Sequence, residues 1–209
     1  MSETLWIGKL VVGEVETNCY LLKHDEGGNE AVLIDPGDEA ERILAALKKQ
    51  GAELKAIFIT HGHYDHTGAV LPIKNAFPSA ALYALEAEKE LIENPSLNAS
   101  FLEGAAISPD VYLKDGEVLE LIGKKIRVIA SPGHTAGSVC LYLEEDGVLF
   151  AGDTIFFSGY GRTDLPTGDA DKMYHSLEML LTGLPEETKV YPGHGPATTI
   201  GRERSIEGS

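Results

Sequence analysis

The chain has 209 residues, 43% of them hydrophobic, enough to bury a full core as one folded unit or at most two small ones. Its formal net charge of −16 excludes a nucleic-acid backbone or an anionic membrane as the main partner, since both would be repelled, and solubility accounts for the charge. No apolar run reaches the ~18–20 residues of a membrane span, and the N-terminus lacks the basic and long apolar regions of a secretion signal, so a cytoplasmic location is expected.

Residues 5–12 and 18–23 read as two strands of a meander turning near Gly13, and 30–34 as a third that ends at Asp35-Pro36-Gly37. A helix follows: Asp38 and Glu41 have capping-box spacing, Ala40, Ile43, Leu44 and Leu47 make one apolar face, and Gly51 ends it. The short apolar run 55–60 fits a central strand covered on both faces. After it come a histidine-rich segment, a helix over 68–76, a strand over 80–84 and a helix over 85–93. Residues 94–110 show no clear period and predict a mobile loop or short helix near the site. Strands at 125–131 and 138–144 flank a Pro-Gly-His turn, and 147–151 leads into Gly152-Asp153-Thr154. Met173, Leu177, Leu180, Leu181 and Leu184 stripe the last major helix, and a strand at 189–191 delivers Pro192-Gly193-His194-Gly195. Cys19 and Cys140 fall in apolar, strand-like stretches without Cys-x-x-Cys spacing and read as small buried hydrophobes. The simplest architecture is an α/β sandwich: two mixed sheets face to face, helices on both outer faces, and ligand loops along one rim.

The segment Thr60-His61-Gly62-His63-Tyr64-Asp65-His66-Thr67-Gly68 packs three imidazoles and a carboxylate into six residues. Burying them together is costly without a cation, and the mixed N/O donor set suits zinc. Alone, such a string is also compatible with a solvated loop. The other histidines carry more weight, because His134 and His194 both sit in Pro-Gly-His turns after predicted strands, and only His24 and His175 fall elsewhere.

In order, His61-Gly62-His63-Tyr64-Asp65-His66, Ser131-Pro132-Gly133-His134-Thr135, Gly152-Asp153-Thr154 and Pro192-Gly193-His194-Gly195-Pro196 strongly resemble the metallo-β-lactamase superfamily. Within it the likeness is to short, single-domain type II glyoxalases (hydroxyacylglutathione hydrolases), over nearly the whole chain from Thr17 to Glu203. The resemblance implies an αββα sandwich forming one domain over residues 1–209, and a pair of zinc ions, with iron or manganese possible. His61, His63 and His134 would bind the first metal, Asp65, His66 and His194 the second, and Asp153 would bridge them. Taken singly, Asp153 reads as a turn residue and His194 as a surface histidine.

Seven ligands over two cations leave open positions, as a catalytic site requires. A hydroxide bridging the metals, its pKa lowered to about 7, would attack a carbonyl polarised by one of them, and Asp65 and Asp153 could aim it. A thiolate, with a conjugate-acid pKa near ~8.5, leaves without a strong general acid, which favours a thioester such as S-D-lactoylglutathione or a related acyl-glutathione. Lactone or other ester hydrolysis stays chemically open. In Gly159-Tyr160-Gly161-Arg162-Thr163-Asp164, Arg162 could grip a substrate carboxylate or pair with Asp164, and Tyr160 is a second candidate contact. Two-domain type II glyoxalases add a helical C-terminal domain that supplies basic residues for glutathione; this chain is expected to lack it, and residues 205–209 differ from the usual ending of the short members. The family's rival activity is that of a mononuclear-iron persulfide dioxygenase, using positions equivalent to His61, His134 and Asp153. Against it, Pro196 follows His194-Gly195 where those enzymes place an acidic residue and tyrosine. A true β-lactamase would typically carry cysteine or histidine where Asp153 stands.

Overall fold

The computed structural model describes residues 4–25, 27–98 and 106–207. The first sheet contains β1 (Trp6–Val12), β2 (Thr17–Lys23), β3 (Glu30–Ile34), β4 (Glu53–Phe58), β5 (Ala81–Leu85) and β6 (Val111–Leu113), hydrogen-bonded in that order. The second contains β7 (Val118–Leu121), β8 (Lys124–Ala130), β9 (Val139–Leu143), β10 (Val148–Gly152), β11 (Lys189–Pro192) and β12 (Thr198–Thr199), again in chain order. Both are mixed: β3 to β6 are parallel, as are β10 and β11, and the remaining neighbours are antiparallel. The helices are α1 (Ala40–Lys49), α2 (Tyr64–Thr67), α3 (Val70–Ala76), α4 (Lys89–Glu93), α5 (Ala170–Gly183) and α6 (Ile200–Glu207).

The two-residue period of the strands sorts side chains into three apolar layers. Tyr20 and Leu22 of β2, Val32 and Ile34 of β3, and Phe58 of β4 face Val139, Leu141 and Leu143 of β9 and Val148 and Phe150 of β10 between the sheets. Their neighbours Cys19, Leu21, Ala31, Leu33 and Ile57 point outward and pack on Ile43 and Leu47 of α1 and Val70 and Ile73 of α3. On the opposite outer face, Cys140, Tyr142, Leu149 and Ala151 lie with Met173, Leu177, Leu180 and Leu181 of α5 and with Ile200 of α6. The sandwich expected from the sequence is therefore present, with both cysteines free and buried. No helix among the described residues is long and apolar enough to cross a membrane.

Local differences have local causes. The Asp38–Glu41 capping box does not form: Asp38 Oδ1 accepts from the adjacent Glu39 N at 2.6 Å, and Glu39, in a left-handed conformation, is the residue that caps α1. The helix expected over 68–76 begins only at Val70, as α3, and the histidine-rich segment before it contains an unexpected single turn, α2, that carries Asp65 and His66. The strands β6, β7 and β12 and the helix α6 were not expected. Of the segment 94–110, residues 94–98 form a turn whose Asn98 carbonyl accepts from Tyr64 N at 2.9 Å, while 99–105 lie outside the described residues, as do 208 and 209 of the tail.

Candidate metal centre

The strands β8, β10 and β11 run in one direction, so their C-terminal ends deliver His134, Asp153 and His194 to the same rim of the second sheet. Three residues beyond β4, His61 opens the segment that also carries His63, Asp65 and His66. Bonds between the sheets hold the two rims together. Val139 N donates to Thr60 O at 2.9 Å, and Asn18 N to Gly193 O at 2.7 Å. The Asn18 amide also donates to Pro192 O and Gly195 O, both at 2.9 Å, and Tyr20 donates its hydroxyl to Pro192 O at 2.7 Å.

Seven side chains converge there. His63 Nδ1 lies 2.9 Å and His61 Nε2 3.2 Å from His134 Nε2, making one triad. His66 Nε2 is 3.3 Å from His194 Nε2, and Asp65 Oδ2 is 3.4 Å and 3.3 Å from those two nitrogens, making a second. Asp153 lies between them, with Oδ1 3.4 Å from His66 Nε2 and Oδ2 3.5 Å from both His134 Nε2 and His194 Nε2. Donors held at ~2.0–2.1 Å around a tetrahedral cation sit about 3.3 Å apart, so these spacings match the donor set of such an ion. Asp153 Oδ1 gives an independent test: it is buried with no hydrogen-bond partner, an arrangement that costs free energy unless a cation faces it.

Outer partners fix which ring nitrogen looks inward. His66 Nδ1 lies 2.9 Å from Asp35 Oδ2, His134 Nδ1 2.7 Å from Arg162 O, and His194 Nδ1 3.0 Å from Val15 O. Each acceptor holds a proton on Nδ1 and so turns Nε2 toward the centre. Asp35 does more. Its carboxylate accepts from Thr60 N and Thr60 Oγ1, both at 2.7 Å, so the Thr60 oxygen is left to accept from His61 Nδ1 at 3.2 Å. Thr17 Oγ1 donates to Asp65 Oδ2 at 2.9 Å. The sequence placed Asp35 only at a strand end; its left-handed φ of 51° marks a constrained residue that the Asp-Pro-Gly string does not reveal.

Protonation follows the same division. Burial pushes His61, His63 and His134 down, His63 to about 4, so the first triad is neutral and ready to ligate at pH 7. Burial also disfavours charge on His66 and His194, but the carboxylates of Asp65 and Asp153 outweigh it, raising both and holding His194 up at about 9. For Asp153 and Asp65 burial is likewise outweighed, chiefly by His66, and both carboxyls stay below their ordinary range.

The Arg162 guanidinium is exposed and bound bidentately by Asp164, with both contacts at 2.7 Å, while its main-chain carbonyl is the acceptor that orients His134. The Tyr160 hydroxyl is 3.2 Å from that of Tyr174.

Sheets, helices and converging donors define a metal-dependent hydrolase. The model of the Metallo-beta-lactamase superfamily matches residues 12–194, and the chain belongs to that superfamily. A curated relative named hydroxyacylglutathione hydrolase GloC, from Haemophilus influenzae, is 36% identical over 90% of this chain and 90% of its own length. Among solved structures, BLEG-1, described as a B3 metallo-beta-lactamase, superposes with a TM-score of 0.88 at 38% identity, covering 96% of this chain and 97% of that one. TTHA1623 in a di-iron-bound form gives a TM-score of 0.82 at 37% identity, covering 96% of each chain. ETHE1 from Myxococcus xanthus gives 0.76 at 30% identity, covering 95% of this chain and 81% of that one.

Proposed function

We propose that the chain hydrolyses a thioester, S-D-lactoylglutathione or a related acyl-glutathione, at a centre where His61, His63 and His134 hold one cation, Asp65, His66 and His194 a second, and Asp153 both. The observation that carries this reading is the Asp153 carboxylate, buried between two triads and short of a hydrogen-bond donor on Oδ1. Zinc fits the donor set, and iron is supported by the di-iron form of a relative 37% identical. The reading treats residues 1–209 as one domain, supported by the family match over 12–194.

When bound, the cations would lower the pKa of a water and polarise the thioester carbonyl. Asp65 and Asp153, both held ionised, accept that water's hydrogen bonds and aim its oxygen at the carbonyl carbon. Forming the new C–O bond and breaking the C–S bond would give a carboxylate and a thiolate, with the water's two protons passing to solvent; the thiolate needs no acid to leave because its conjugate acid ionises near ~8.5. Arg162 and Tyr160 border the loop after Asp153; in this reading Arg162 exchanges Asp164 for a substrate carboxylate and Tyr160 lines the path. The relative named hydroxyacylglutathione hydrolase supports the choice of substrate.

One other reading is the mononuclear-iron persulfide dioxygenase on the same fold, and the iron bound in a structure 37% identical is what favours it. A single set of assays separates them. Protein purified without added metal should contain close to two metals per chain and turn over S-D-lactoylglutathione in preference to lactones, acyl-CoA thioesters and a β-lactam. One tightly held iron, with oxygen uptake on glutathione persulfide, would overturn the hydrolase reading.

A further inference from the structure

The Glu88 carboxylate is buried and serves three donors, none of them cationic. Oε1 accepts from Gly62 N at 2.8 Å; Oε2 accepts from Gly137 N at 2.7 Å and from Thr135 Oγ1 at 3.0 Å. Gly62 separates His61 from His63, and Thr135 follows His134. One side chain therefore joins the two loops that carry the whole first triad. It touches neither the loop of His194 nor the turn of Asp65 and His66, which are held instead by Asn18, Val15 O, Thr17 and Asp35.

The backbone is shaped around this clasp. Glu88 ends a single 3-10 turn (Glu86–Glu88) ahead of α4, and that corner wedges between the loops. A Cβ on Gly137 would come within 2.2 Å of Glu88 N, and one on Gly62 within 2.5 Å of Leu91 Cδ2. Gly137 therefore accepts only glycine, because the atoms met are backbone, whereas a side chain at Gly62 would have to displace those of Leu91 and Ile92. Every group facing the carboxylate is a donor, so an acceptor-only side chain is required. Glutamine would turn its own N–H groups on backbone N–H or on the Thr135 hydroxyl.

Resting on the two-metal reading, we propose that Glu88 is a positioning residue that sets the spacing of His61, His63 and His134, and so governs metal affinity at the first triad alone. The test is equilibrium titration of the metal-stripped full chain with zinc against a chromophoric chelator. The wild-type chain should show two sites. Glu88→Gln should weaken one of them by ~10–100-fold, the usual cost of losing an outer partner, and leave the other unchanged. In a His134→Ala background, Glu88→Gln should add no further loss, because the two changes disable one site. Should Glu88→Gln fail to fold by circular dichroism, Glu88→Asp is titrated in its place; it keeps the charge, cannot span both loops, and should show the same single-site loss. Equal weakening of both sites, or no weakening beside a lowered melting temperature of the metal-free chain, would return Glu88 to an ordinary structural role. A wild-type chain that takes up no zinc would sink the two-metal reading itself, a distinct result.

Discussion

Asp35 holds His66 directly and His61 through the Thr60 hydroxyl, so one carboxylate orients an imidazole of each triad. In Asp35→Asn the amide N–H groups would oppose donors, and zinc affinity should fall by ~10–100-fold in chelator competition; an unchanged constant would refute that role. Arg162 is a different case, since its guanidinium is exposed and already paired. Arg162→Ala should raise KM by about two- to fivefold, the scale of an exposed ion pair, with a smaller change in kcat; unchanged kinetics would leave only its carbonyl's hold on His134. The candidate ligands were legible because imidazoles clustered after apolar runs and in repeated Pro-Gly-His turns are costly to bury together without a cation. Asp35 and Glu88 were not. An aspartate in Asp-Pro-Gly reads as a turn, and a glutamate in an acidic helix reads as a solvated face, until the fold shows which donors surround them.

At the level of elements, α5 supports the strand that leads into Asp153, because Leu177 packs in one apolar layer with Leu149 and Ala151 of β10. Leu177→Ala should cost ~2–5 kcal/mol in denaturant unfolding, and a loss below ~1 kcal/mol would mean that the layer collapses to fill the gap. The strands β2 and β9 bury Cys19 and Cys140, and burial pushes both thiols up, Cys140 to about 11. Thiols that ionise so late are neutral and slow to react. A thiol reagent at pH 8 should detect neither in the native chain and both after denaturation; early labelling would show that these strands open. Periodicity revealed the long elements, whereas β6, β7 and β12, with three, four and two residues, are too short to establish a period. The α1 cap shows a second limit, since spacing permits a capping box but the adjacent Glu39 amide is the nearer donor for Asp38.

At the scale of the molecule, the candidate ligands come from both sheets, so cations at the rim would cross-link them. Metal that binds only the folded chain adds ~2.7 kcal/mol per site at a free concentration one hundred times its Kd. For a chain of this length that is about 5–10 °C of Tm per site. Thermal unfolding with and without a chelator measures it, and coincident curves would exclude cross-linking. The chain-order sheets also make this a molecule assembled in two acts. A ribosome finishes the first sheet by residue 113 with four of the seven candidate donors, His61, His63, Asp65 and His66, before any strand of the second has emerged. Until residues 118–199 follow, Tyr20, Leu22 and Phe58 form an unsealed apolar wall beside half a coordination sphere. On the two-metal reading a full donor set therefore waits for the strands that carry His134, Asp153 and His194, and the newborn half is the moment when a chaperone has most to cover.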